Sequence, residues 1–342
     1  MNSTDARPIV LLRPAPQQTD RIFSPETFAA LKSRFTVLDL ADDDRSDTFD
    51  DALPSAFAII GQPDLDRERL RRAHALRAIC NVEGNFFPNV DYETCYEQGI
   101  YVLGCGPAYA QAVAETALGL GLDIARGISR EDRAFRTGTE RYVADGNQDA
   151  VLLRGSTVGL LGYGNLGRAL HRLLIPFDAQ LRVHDPWLPD AVLRQAGLHP
   201  ASLEETIRRS RFLFVLATAT AENRHLLGPR ELDLVPDGGR VVLVSRAAVA
   251  DFDALYERIR DGRFLAAIDV WPEEPMPADS PFRSLDGLVF SGHRAGGIPQ
   301  AFLEIGDMVL DDLTQIQRGL PPARMQVAAR ELVGRYRNRP VS

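Results

Sequence analysis

Three polar residues far apart in the chain, Arg246, Glu274 and His293, have the side chains needed to work on a small anionic alcohol or carbonyl compound. An arginine forks onto a carboxylate and polarises a neighbouring carbonyl. A histidine titrates in the range where a hydroxyl proton is exchanged, and a carboxylate beside it supports that work. Each lies just past an apolar run that reads as a strand: "RVVLVSRAAVAD", "FLAAIDVWPEEP" and "GLVFSGHRAGG". Taken singly, each also has an ordinary explanation, as a surface arginine, a solvated acid and a structural histidine. Their placement at successive strand ends gives them a joint chemical meaning. The remaining histidines, His74, His171, His184, His199 and His225, sit in helical or loop contexts without such company.

A second constellation tells what the three would face. In "TVGLLGYGNLGRAL" a strand pattern runs into a helix pattern, and Gly162, Gly164 and Gly167 fall at the join. The first glycine permits a tight turn, the second lets the backbone approach a phosphate, and the third lets helix and strand pack closely. The new helix offers its amides and dipole to an anion. The strand "QLRVHD" ends in Asp185, about twenty residues on, where an acid meets ribose hydroxyls. Its charge disfavours a 2′-phosphate, so the expected cofactor is NAD rather than NADP. Nicotinamide chemistry is hydride transfer, which calls for a substrate anchor and a proton donor. The plain alternatives are a structural turn at the glycines and a turn residue at Asp185, before Pro186.

These residues need a scaffold that collects strand ends. "PIVLLR", "FTVLDL", "AFAIIG", "LRAICNV" and "IYVLG" read as strands with helical segments between them, among them "SPETFAALKSR" with Ser24 as cap and Pro25 in the first turn. A long helix starts at "PAYAQAVAETALG", followed by a polar stretch around "REDRAFRTGTERYVADGNQDA". "QLRVHD", "FLFVLA", "RVVLVS", "FLAAIDV" and "GLVFSG" follow the glycine loop as further strands, and the C-terminal stretch reads as helical. The βα alternation predicts an α/β fold with parallel sheets. Residues 1–107 with 299–342 are expected to form one domain and 108–298 a second, inserted, nucleotide-binding one. The acidic "ADDDRSDTFDDAL" lacks the register of a calcium loop and is expected to be a solvated loop.

Composition closes off other classes. The 342 residues carry a net charge of −8, which argues against nucleic acid or an anionic membrane as partner. No apolar stretch approaches a membrane span, and the N-terminus lacks a secretory pattern. Cys80, Cys95 and Cys105 have no metal-ligand spacing and read as reduced thiols of a cytoplasmic protein, so no metal site is expected.

These motifs together resemble the D-isomer-specific 2-hydroxyacid dehydrogenase family, the group of D-3-phosphoglycerate, D-lactate and glyoxylate/hydroxypyruvate enzymes. The resemblance rests on "LLGYGNLGRAL…VHDP", "VLVSRAAVAD", "AAIDVWPEEP" and "GHRAGG", and on "NVEGNFFPNVDYETCYEQGIYVLGCG" and "AVAETALGLGLDIAR" in the first third. It implies two Rossmann-like domains, the NAD-binding one inserted in a flavodoxin-like substrate domain, with a cleft between them, and a homodimer. It implies hydride transfer between NAD(H) and a small 2-hydroxy or 2-oxo acid. Arg246 then binds the substrate carboxylate and carbonyl oxygen, His293 is the acid/base, and Glu274 rather than Glu273 supports it. The loop at Gly84 and Asn85 holds the carboxylate through its amides. Asn165, Leu166, Asp185, Ser245 and Asp269 fall on the cofactor contacts, and Tyr163, Ala217 and Gly296 join the glycines in that set. Ala247, Gly292 and "ATATAENR" depart from the family pattern and leave the acid unnamed. Phe86, Phe87 and Trp271 either line an apolar pocket for a substrate side chain or pack a core. The alternatives are a dehydrogenase of formate or phosphite and an NAD(H)-sensing, corepressor-like interaction protein.

Overall fold

The computed structural model describes residues 7–40, 46–84, 86–220, 222–330 and 333. The chain forms two compact units, one running to Tyr109 and resuming at Gly297, the other Ala110–Gly296. The first unit begins with β1 (Ile9–Arg13), β2 (Thr36–Asp39), β3 (Ala56–Gly61), β4 (Ala78–Asn81) and β5 (Tyr101–Gly104). They lie in the order β2-β1-β3-β4-β5 and pair in parallel. That is the flavodoxin-like order, in which the direction of strand addition across the sheet reverses between β1 and β3.

The second unit carries β6 (Thr157–Leu161), β7 (Gln180–His184), β8 (His199–Pro200), β9 (Phe212–Val215), β10 (Gly239–Leu243), β11 (Phe264–Ile268) and β12 (Leu288–Phe290). Its order is β8-β7-β6-β9-β10-β11-β12, all parallel. This is the doubly wound dinucleotide-binding order, extended by one strand, with its switch point beside β6. The last strand, β13 (Gln326–Val327), returns to the first sheet and pairs antiparallel with β5.

Every residue of β4, β9 and β10 is buried, which is why these strands read as largely apolar runs, with only Asn81 and Arg240 polar. Ser24 caps the helix Pro25–Arg34 as expected, its Oγ accepting from the Thr27 N–H at 3.0 Å. Other elements depart from the sequence reading. Ser46–Ala52 in the acidic run is helical, while residues 41–45 lie outside the described residues. The polar stretch after Gly127 opens with a helix, Ile128–Thr137. The C-terminal helix stops at Gln317, after which the chain supplies β13. In the last case a buried carboxylate decides the path: Asp312 accepts from the backbone N–H groups of Ala323, Arg324 and Met325 and turns the chain back to the sheet. No helix among the described residues is long and apolar enough to cross a membrane.

The helix Pro299–Gln317 packs on the first unit through a glycine. A Cβ at Gly306 would sit 2.2 Å from the Ile22 carbonyl oxygen and 2.7 Å from Phe23 Cδ1. Backbone cannot yield as a flexible side chain does, so Gly306→Ala should destabilise the protein by about 3 kcal/mol, read as a lowered urea midpoint at unchanged slope.

Candidate active site

The second sheet collects the chemistry at its carboxyl edge. β6 ends at Leu161, and Gly162 turns away with φ +98°, its N–H donating to the His184 carbonyl at 2.9 Å. A Cβ on Gly162 would lie 2.9 Å from the backbone of Ala217, just past β9. A Cβ on Gly167 would lie 2.6 Å from the Gly162 carbonyl oxygen. Both glycines are therefore required by the chain's own backbone. Gly164 is different: a Cβ there meets nothing within 4 Å. It opens the helix Asn165–Leu174 without a side-chain cap. Nothing in the protein crowds it, and an uncapped helix start favours an anion.

Asp185 stands one residue past β7. Its Oδ2 accepts from the Tyr163 N–H at 2.7 Å and its Oδ1 from the Trp187 N–H at 3.0 Å. Each oxygen keeps a lone pair for a ribose hydroxyl. The glycine turn and Asp185 are thus tied together by one hydrogen bond, and the set fits NAD.

β10, β11 and β12 are neighbours, so their ends bring the three chemical residues to one side. Arg246 follows β10 in extended conformation, with Nη1 donating to the Ser245 carbonyl at 2.7 Å. The residue as a whole is exposed, yet protein atoms crowd around its guanidinium. Burial lowers its pKa and the nearby Glu274 carboxylate raises it. Arginine remains charged regardless. The Ser245 hydroxyl is buried without a partner, an unmet bond of the kind that a bound group or water satisfies.

After β11, buried Asp269 organises the turn that follows β12. Its carboxylate accepts from Ser291 Oγ and from the N–H groups of Arg294 and Ala295, while its carbonyl accepts the His293 N–H at 2.7 Å. His293 is held at φ +50°, the left-handed region. Glu274 binds the Trp271 N–H at 2.9 Å with Oε1 and His293 Nδ1 at 2.7 Å with Oε2. With Glu274 accepting, Nδ1 is the donor of this bond, and Nε2 is the ring nitrogen it does not engage.

The structure therefore joins Glu274 to His293, and Glu273 has no part in that bond. It joins Gly162, Tyr163, Gly167, Ala217 and Asp185 around one turn, with Asn165 and Leu166 in the first turn of the helix. Gly296 ends the second unit. In the first unit Gly84 has φ +98° and donates its N–H to Cys105 Sγ at 2.9 Å, while Asn85 lies outside the described residues. Phe86 and Trp271 are core residues: Phe86 packs edge-on against Tyr92, and Trp271 stacks on Phe290 while Nε1 donates to the Ser291 carbonyl.

Two roles escaped the sequence reading. Trp271 orients Glu274 through its backbone, a three-residue local turn whose signal was only "WPEE". His171, set aside as a plain helical histidine, binds the Tyr163 hydroxyl.

Residues 92–295 match the family model described as D-isomer specific 2-hydroxyacid dehydrogenase, NAD binding domain. The D-3-phosphoglycerate dehydrogenase of Methanocaldococcus jannaschii is 28% identical over 256 residues, covering 74% of this chain and 48% of its own. The hydroxypyruvate reductase of Thermotoga maritima is 31% identical, covering 64% of this chain and 70% of its own. The crystal structure of a phosphoglycerate oxidoreductase from Rhizobium etli is similar at 45% identity with a TM-score of 0.88, over 95% of this chain and 99% of that one. The chain spans about half the length of the first curated relatives it matches. The fold and the model match define a two-domain α/β protein with an NAD-binding unit. The chain belongs to the D-isomer specific 2-hydroxyacid dehydrogenase family, as its motifs led one to expect.

Removing the Asp269 carboxylate leaves a hydroxyl and two amides without their acceptor. Asp269→Ala should cost about 3 kcal/mol of stability, measured by urea unfolding.

Proposed function

We propose that this chain catalyses the reversible oxidoreduction of a small 2-hydroxy acid and its 2-oxo acid with NAD, D-specific by family. The observation that carries the proposal is the Glu274–His293 bond of 2.7 Å at the strand edge that also holds Arg246. Bound nicotinamide supplies hydride donation and acceptance. In the direction of reduction, Arg246 takes the substrate carboxylate and polarises the carbonyl oxygen, and protonated His293 gives its Nε2 proton to that oxygen as it becomes a hydroxyl. Glu274 holds the ring through Nδ1 and balances the imidazolium charge. In oxidation the hydroxyl proton returns to Nε2. The family pattern assigns the loop at Gly84 and Asn85 to the same carboxylate. Asn165, Leu166, Asp185, Ser245, Asp269 and Gly296 are proposed cofactor residues with the glycine turn. The inserted unit is the proposed NAD-binding domain and the other the substrate domain.

A proton relay is what a hydroxyl substrate needs. Hydride removal from formate has no use for one, and a sensor has no use for turnover, so the relay favours the hydroxy acid over both. With a panel of 2-oxo acids and NADH, His293→Ala should lower kcat about a thousandfold while NADH still binds. Retained turnover in that variant, or no turnover by the wild type on any acid of the panel, would overturn the assignment.

We also propose a homodimer and a reducing, cytoplasmic setting. Support for the latter is three buried free thiols. Support for the dimer is the segment from Ile128 to Leu152. Its helix buries none of its residues, and Val143 is 84% and Leu152 67% exposed. Phe135 and Tyr142 contact each other edge-on in the open, and Arg130 clamps Asp149 with two bonds of 2.7 and 2.9 Å. An ordered arm with its apolar side uncovered suits a second copy of the chain. Phe135→Asp combined with Val143→Asp should convert a dimer to a folded monomer in light scattering; a monomeric wild type would sink this part.

A further inference from the structure

Tyr163 is the one side chain between Gly162 and Gly164, and it does not face solvent. It is 3% exposed, and its hydroxyl lies 2.8 Å from His171 Nδ1, two turns along the helix Asn165–Leu174. Its ring tilts against the imidazole with centroids 5.9 Å apart, and Cδ2 is 3.3 Å from the place a Cβ would take on Gly167. The Arg168 guanidinium lies 4.9 Å from the ring centroid. The Tyr163 backbone N–H is the one that Asp185 binds.

We infer that Tyr163 and His171 form a latch that holds the glycine turn in its phosphate-binding conformation, so that both act as positioning residues for cofactor affinity. The inference rests on the proposed NAD-binding role of this turn. Glycine has the widest backbone freedom of any residue, and here two glycines flank one anchor point. Without an anchor, the turn must be ordered when the cofactor binds, at the expense of affinity; anchored, it is ordered beforehand. The latch joins the turn to its own helix at one end and, through the Tyr163 amide, to the ribose acid at the other. Burial lowers the His171 pKa, with Arg172 adding to this, and burial raises that of the Tyr163 phenol. A neutral imidazole and a protonated phenol are complementary, since one ring nitrogen accepts while the hydroxyl donates.

The test is NADH titration by fluorescence on the full chain, with the wild type, Tyr163→Phe, His171→Ala, the double variant and His171→Asn. Each single loss should raise the Kd for NADH about fivefold, the scale of one neutral hydrogen bond. The double variant should be no worse than either single one, because both remove the same bond. His171→Asn keeps a polar atom near the Nδ1 position and should recover most of the affinity. For His171→Ala, KM for NADH should rise while kcat at saturating NADH stays within about twofold, as expected when uniform binding alone is lost. Unchanged Kd values in both single variants, or losses that add, would overturn the latch. A wild type that does not bind NADH would instead overturn the reading of the turn itself.

Discussion

A carboxylate sealed from water organises the chemistry of this protein. Asp269 is 1% exposed, and a charge so placed is tolerable only if its oxygens are met by donors. The donors come from Ser291, Arg294 and Ala295, the residues on either side of His293. Satisfying Asp269 therefore dictates the path of the chain around the histidine, including its left-handed backbone. The Glu274–His293 pair could not impose this itself. Its side chains are 37% and 44% exposed, and ion pairs in such settings contribute about 1 kcal/mol at most. The geometry of the pair is set by backbone bonds beneath it: the His293 N–H on the Asp269 carbonyl and the Trp271 N–H on Glu274.

The same separation of support from chemistry governs the glycine turn. Gly162 and Gly167 are fixed by contact with Ala217 and with each other, so the fold alone accounts for them. Gly164 has open space around it and stands at the N-cap of the helix, a position that glycine suits and that leaves room for a ligand. A motif of three glycines thus divides into two that the turn requires and one whose surroundings stay open. The strand order places that turn beside the switch point of the sheet, where the connections from β6 leave in opposite directions and open a crevice.

Much of this was legible in the sequence because it depends on local pattern. Strand runs such as "RVVLVS" and "FLAAIDV" are continuous and apolar since their strands are covered on both faces, and polar residues just past them mark carboxyl ends. Arg246, Glu274 and His293 were readable for that reason, as was Asp185. What escaped depends on partners distant along the chain. β13 is two residues long, and its place is decided by Asp312 accepting from a turn a dozen residues on. The acidic run near Ser46 gave no hydrophobic period, yet Phe49 and Leu53 bury themselves in the first unit. His171 looked like any helical histidine because its partner is a tyrosine whose burial only the folded turn creates.

The aromatic residues singled out in the sequence settle into separate cores. Phe86 and Trp271 are each consumed by a core, Trp271 within a cluster that includes Phe252, Phe282 and Phe290. The polar edge is left with a guanidinium, an imidazole and a carboxylate. Partial removal of water around Arg246 strengthens its pull on an anion, because the charge cannot be shed to relieve the loss of hydration. Glu274 lies close enough to act on that guanidinium as well as on His293. One acid thus faces two basic groups, the Arg246 guanidinium through its charge and the His293 ring through a hydrogen bond.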